Sequence, residues 1–169
     1  RYGLKLKENK SATFDPLQKG TVIHFVLEQL LSEFSAQELS ELDPNERYEK
    51  IRGYLDSYLE RFLDRSQRSK RFLYLYERLA RSIDAVAARL ADEFKNCEFR
   101  PIDLELDISH NGTIKPYDLK IPSGGHINIS GKVDRVDLAE IDGEPYVRVI
   151  DYKSSGKPFD VSDVLNGLN

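Results

Sequence analysis

Tyr146-Val-Arg-Val-Ile-Asp-Tyr-Lys153 is the stretch on which the reading of this chain turns. Its apolar and branched residues predict a strand. Side chains alternate between the two faces of a strand. Val147, Val149, Asp151 and Lys153 therefore share one face, and Tyr146, Arg148, Ile150 and Tyr152 the other. A carboxylate and an ammonium two residues apart at a strand end project into one cleft. There the carboxylate can hold a divalent cation beside a lysine that orients water. In isolation a D-x-K is more often an ordinary edge-strand ion pair, so the surrounding chain has to decide.

Working outward, Asp142-Gly143 is a tight-turn signal. The stretch before it, His126 to Leu138, reads as one long strand. An antiparallel hairpin across the turn brings Asp134 into the neighbourhood of Asp151. Arg100 to Ile108 opens this part of the chain as a further strand, with Leu104, Leu106 and Ile108 alternating with Asp103, Glu105 and Asp107. Asn111-Gly112 is a second turn signal, and Pro116 makes Ile114 to Ile121 irregular.

Before Asn96 the period changes to that of a helix. Ile23, Val26, Leu27, Leu30, Leu31 and Phe34 form one face of a helix from Val22 to Phe34, with Thr21 as N-cap. His24 lies beside that face, one turn from Glu28. It reads either as a hydrogen-bonded histidine at the core edge or as a neutral imidazole ligand for a metal. Ser35 to Asn45 reads as a loop with at most a short helical turn. Glu46 to Asp64 and Arg71 to Phe94 are further helices. The last carries Phe72, Leu75, Leu79, Ile83, Val86, Leu90 and Phe94 on one side.

At 169 residues the chain can bury one sizeable core. A net charge of -4 gives no general argument for nucleic-acid binding. Basic residues do cluster between Arg61 and Arg81, interleaved with Tyr74 and Tyr76. Arg68, Lys70 and Arg71 are weak candidates there for phosphate contacts, although such a run is more often a solvated helix face. The single Cys97 excludes an internal disulfide and a cage built of thiolates alone. No apolar run approaches the roughly 20 residues of a membrane span, so no membrane partner is expected and a cytoplasmic home is the default. An Arg at position 1, the absence of Met and an abrupt end at Asn169 predict a piece of a longer chain.

Gly131-Lys-Val-Asp134-Arg-Val-Asp137, the turn, and Val149-Ile-Asp151-Tyr-Lys153-Ser-Ser together resemble the PD-(D/E)xK nucleases of the RecB-like group. Gly20-Thr-Val-Ile-His24-Phe-Val-Leu-Glu28 is similar to that group's G-x-x-x-H-x-x-L-E helix. Within the group the chain looks most like the C-terminal nuclease domain of the AddB type, found in the B subunit of ATP-dependent helicase/deoxyribonucleases. The resemblance is weakest from Ser35 to Phe94.

The resemblance implies a fold and a set of roles. The expected fold is α+β with a restriction-endonuclease-like α/β core. A helical part (1–95, with the His24 helix and a helical insert) packs on a small mixed sheet (96–169) that contains the D…D-x-K hairpin. A closing helix begins after Val161. His24, Asp134 and Asp151 match metal ligands for Mg2+ or Mn2+, with the Tyr152 backbone carbonyl as a further ligand. Lys153 matches the catalytic lysine, and Glu105 is a possible accessory acid. The implied activity is metal-dependent exonucleolytic DNA cleavage in double-strand-break processing and recombinational repair. The implied partners are a single strand from an unwound duplex and the A subunit of the helicase–nuclease. An iron–sulfur cluster is implied for the full-length protein, on cysteines outside these residues. Other readings are a RecB-like exonuclease of another system such as CRISPR adaptation, and a catalytically inactive module that binds DNA or another protein of the complex.

Overall fold

In a computed structural model, which describes residues 16–62, 70–121 and 124–153, the chain divides into a helical part and a β part. The helices are α1 (Pro16–Glu33), α2 (Ala36–Glu41), α3 (Pro44–Phe62) and α4 (Lys70–Asn96). The first begins earlier than expected. Pro16 occupies its first turn, where a missing N–H costs nothing, and Thr21 lies within it rather than at its cap.

The second helix falls where a loop with a short helical turn is expected. The Ser35 hydroxyl accepts from the Glu38 N–H, while the Glu38 carboxylate accepts from the Ser35 N–H at 2.8 Å. This reciprocal capping box stabilises a helix of only six residues. Leu39 anchors it in the core.

The helical core is a contiguous cluster. Val26, Leu27 and Leu30 of α1 meet Ile51, Leu55 and Leu59 of α3, and Phe72, Ile83, Leu90 and Phe94 of α4. The buried stripe of α4 also runs through Ala80, Ala87 and Ala91, whose small side chains let neighbouring elements approach closely. Val86, expected on that stripe, is 36% exposed because Ala87 takes the inward position. Polar ties lie at the edges of this packing: Tyr48 Oη donates to Glu77 at 2.7 Å, and Arg47 Nε to Asp84 at 2.8 Å. No described helix is long and apolar enough to cross a membrane.

The strands are β1 (Arg100–Ile108), β2 (Tyr117–Ile121), β3 (Gly125–Ile129), β4 (Gly131–Ile141) and β5 (Glu144–Ile150). Among the described residues β1, β4 and β5 form one antiparallel sheet in the order β1-β4-β5, while β2 and β3 form a separate ribbon. The one parallel pairing among them is the isolated bridge between Ile108 and Ile114. The long strand expected from His126 is thus two strands, broken at Ser130. Its first half pairs with β2 and its second with β1 and β5.

The β4–β5 turn is as expected. Asp142 (φ 54) and Gly143 (φ 80) are both left-handed, the pair required by a two-residue I′ turn whose twist matches the flanking strands. This turn fixes the register, with Arg135 opposite Ile150 at the far end. Val147 and Val149 lie on the face of β5 away from the helices and are more than 60% exposed. The helix expected after Val161 lies outside the described residues.

Candidate active site

His24 sits one residue off the buried stripe of α1, beside the sheet. Its ring is about a quarter exposed. Nε2 lies 2.9 Å from the Tyr152 carbonyl oxygen. A carbonyl only accepts, so this contact assigns the proton to Nε2. In the neutral ring Nδ1 is then a lone pair. It points at two carboxylates, 3.3 Å from Asp134 Oδ1 and 3.8 Å from Glu105 Oε1. Lone pairs facing one another at these distances repel unless a proton or a cation lies between them. His24, Glu105 and Asp134 each offer one donor atom, and all three atoms lie within 4.8 Å of one another. One imidazole and two carboxylates form a donor set that fits Mg2+ or Mn2+.

Asp134 reaches this point from β4 with its side chain only 10% exposed. Its second oxygen, Oδ2, accepts the Tyr152 N–H at 2.5 Å. Tyr152 therefore fixes both sides of the site through its backbone: the carbonyl orients His24 and the amide orients Asp134. Outer groups of this kind set ligand orientation and basicity in metal sites.

Glu105 arrives by an unusual route. It is a non-glycine residue at φ 51 in the middle of β1. The pairs on either side, Leu104 with Arg135 and Leu106 with Val133, place it across from Asp134. A left-handed residue inside a strand costs about 1–2 kcal/mol. Such strain persists where the surrounding structure over-determines it, most often at functional sites. Lys132 Nζ holds the other Glu105 oxygen at 2.6 Å.

Asp151 and Lys153 stand at the rim. The β4–β5 ladder ends at Ile150, and one further step in register would set Asp151 opposite Asp134. The chain leaves the ladder there, and the N–H of Tyr152, two residues past Ile150, goes to the Asp134 side chain. The strand pairing stops at Ile150, but the alternation expected through Lys153 continues, with Asp151 and Lys153 exposed and Tyr152 half-buried between them. Asp151 is 54% exposed and pairs with Lys153 at 2.7 Å. That contact holds the Lys153 ammonium above its usual pKa. The close donor set thus contains Glu105 rather than Asp151, while Lys153 lines the same cleft as His24 and Glu105. Of the basic candidates, Arg68 lies outside the described residues, and Lys70 and Arg71 open α4.

Behind the site lies an ionic network that the strand reading did not single out. Arg135 and Asp137, two residues apart on β4, are both fully buried. Their contact is bidentate, Nε to Oδ1 at 2.8 Å and Nη2 to Oδ2 at 2.9 Å. Arg148 adds a 2.7 Å bond to Asp137 and pairs with Glu93 of α4. The remaining Arg135 amine, Nη1, donates to the Tyr152 hydroxyl at 2.9 Å. Burial pushes that phenol's pKa up. A buried ion pair is seldom retained for stability alone. Here it grips the residue whose backbone orients His24 and Asp134. The available signal was R-x-D, two opposite charges on one face of a strand.

The family model described as the PD-(D/E)XK nuclease superfamily matches residues 1–168. Among curated proteins, the chain is 34% identical to the B subunit of an ATP-dependent helicase/deoxyribonuclease from Caldanaerobacter subterraneus subsp. tengcongensis. It is 33% identical to the protein of the same name from Clostridium botulinum and 32% to that from Acetivibrio thermocellus. Each match covers 99% of this chain and 15% of the relative. The chain therefore spans a small part of these relatives' length. It belongs to the PD-(D/E)XK nuclease superfamily.

Proposed function

We propose that this chain is a divalent-metal-dependent deoxyribonuclease domain that hydrolyses phosphodiester bonds. The observation that carries the reading is the convergence of His24 Nδ1, Asp134 and Glu105, with the imidazole proton committed to the Tyr152 carbonyl. His24 and Asp134 would hold Mg2+ or Mn2+, with Glu105 beside them and Asp151 close enough in register to join. A role for the Tyr152 carbonyl as ligand would require it to exchange its bond from His24 for one to the metal. When bound, the cation would supply charge stabilisation at the phosphate and a lower pKa for the attacking water.

The chain's own residues do the rest. Tyr152 keeps the His24 lone pair and the Asp134 carboxylate turned inward. Lys153 brings a positive charge to the rim where a phosphate would enter, and Asp151 steers its ammonium. A flexible point charge of this kind suits phosphate contact.

The names of the relatives support a place in the B subunit of an ATP-dependent helicase–deoxyribonuclease, which we place in the cytoplasm. There the domain would act exonucleolytically beside the partner A subunit on strands of unwound DNA, in break processing and recombinational repair. An iron–sulfur cluster of the four-thiolate kind needs more cysteines than Cys97 alone. In that setting its ligands would come from other parts of the protein.

The test is cleavage of labelled single-stranded DNA by this chain with Mg2+ or Mn2+, beside Asp134→Asn and Lys153→Ala. Metal-dependent cutting lost in both variants is the expected result. Cutting that survives both substitutions would overturn the assignment.

A further inference from the structure

We propose that Phe25 and Tyr58 form a stacking platform for an unpaired nucleobase next to the candidate metal centre. The inference rests on the nuclease reading only for where the phosphate lies. A cleft of about 430 Å³ opens over the site, within the size range of small-ligand pockets. One part of its wall is ionic, with Glu105, Lys132 and Lys153. Phe25 and Tyr58 contribute the other part. Phe25 follows His24 on α1, and Tyr58 comes from α3. Their ring centroids are 5.2 Å apart at a tilt of 49°. Both rings are half-buried, packed behind against the helical core and bordering the cleft in front.

Arg61, one turn beyond Tyr58 and exposed, sets its guanidinium 5.6 Å from the centre of the Phe25 ring. Aromatic faces with a neighbouring guanidinium are the elements that hold single-stranded nucleic acid: rings take the bases and the cation takes the backbone. Ordinary packing of α1 on α3 accounts for the buried sides of the rings. The same rings also border the cleft beside the candidate metal centre, where an exposed guanidinium lies next to one of them. A duplex keeps its bases stacked inside the helix. A platform beside the phosphate site therefore selects an unpaired strand. It does so without sequence preference, since every base has a π-face. It also gives α3 a part in substrate choice.

The experiment compares binding of two oligodeoxynucleotides of equal length to this chain, with Ca2+ in place of the catalytic metal. One is an ordinary single strand. The other has abasic residues throughout, so that the phosphates are kept and the bases removed. The ordinary strand should bind about ten-fold or more tightly, the worth of a base–aromatic stack. Tyr58→Phe should keep that difference and Tyr58→Leu should lose most of it. Equal binding of the two strands by the unsubstituted protein would overturn the platform, whatever the fate of the variants. A difference that survives Tyr58→Leu would do the same. Because binding is read without cleavage, the platform can stand if the nuclease reading fails, and the reverse.

Discussion

The Tyr152 amide, two residues past the end of the β5 ladder, donates to the Asp134 carboxylate at 2.5 Å. With the Tyr152 carbonyl on His24, this bond orients two members of the candidate site. It predicts that charge at position 134, rather than its hydrogen bond, carries the metal. Asp134→Asn keeps an oxygen for the Tyr152 N–H and removes the charge. The protein should stay folded by circular dichroism. Its affinity for Mn2+ in titration calorimetry should fall by about 100-fold or more, exceeding the roughly 10- to 100-fold typical of outer groups.

Lys153 behaves differently. It is exposed and its ammonium is paired with Asp151, so it has no part in holding a cation. On the proposed reading its charge serves the phosphate, so Lys153→Ala should leave Mn2+ affinity within about two-fold while abolishing DNA cleavage. A parallel loss of metal affinity would move Lys153 from the chemistry into the assembly of the site.

The phenol of Tyr152 ties the site to Arg135. Tyr152→Phe leaves the backbone contacts to His24 and Asp134 possible but strips the buried Arg135 Nη1 of its acceptor. An unmet buried donor costs about 1–3 kcal/mol, readable as a lower urea midpoint. Looser positioning of the Tyr152 backbone should also weaken Mn2+ binding by about 10-fold. Lost stability with unchanged metal affinity would make the network structural only.

Glu105 is a place where stability and function should oppose one another. Glycine at this position removes a left-handed penalty of about 1–2 kcal/mol and adds a chain-entropy cost of about 0.5–1. It also gives up the ion pair to Lys132, a partner 60% exposed and so worth little. Glu105→Gly should therefore be more stable, by at most about 1.5 kcal/mol, in denaturant melts without metal. It should also bind Mn2+ less tightly. A destabilised variant would mean that the φ of 51 is not a source of strain.

Much of this was legible because it depends on local chemistry. Asp142-Gly143 demands a turn with two left-handed residues, and the turn fixes the register that carries Asp134 toward Asp151. The helical period of α1 puts His24 beside the buried face. The rest depends on partners far apart in the chain. Nothing in Leu104-Glu-Leu106 announces a left-handed residue, because strand alternation alone would place Glu105 regularly. His126 to Leu138 alternates almost without a break, and only pairing with two different neighbours divides it at Ser130. The burial of Arg135 and Asp137 follows from Phe94, Arg148 and Tyr152 closing around them, contacts between residues distant in sequence. The Ser35–Glu38 capping box was local and readable, and its S-x-x-E spacing marks α2.

Acid should loosen the helical part through three glutamates. The Glu33 carboxyl is held below its ordinary 4.5 by hydrogen bonds from Lys50 and Tyr54, which join α1 to α3. Glu38 is lowered by its bonds with Ser35, and Glu77 chiefly by the Tyr48 hydroxyl. A depressed carboxyl pKa means that the folded state binds protons less readily than the unfolded chain. The stability these groups contribute is therefore present above about pH 4.5 and is lost as pH falls through their folded values. The urea midpoint of the helical signal should fall between about pH 5 and pH 3. Glu33→Gln should be less stable than the unsubstituted protein at neutral pH, and the gap should close as the pH falls. A gap of constant size down to about pH 3 would show that the Glu33 charge, as distinct from its shape, contributes nothing.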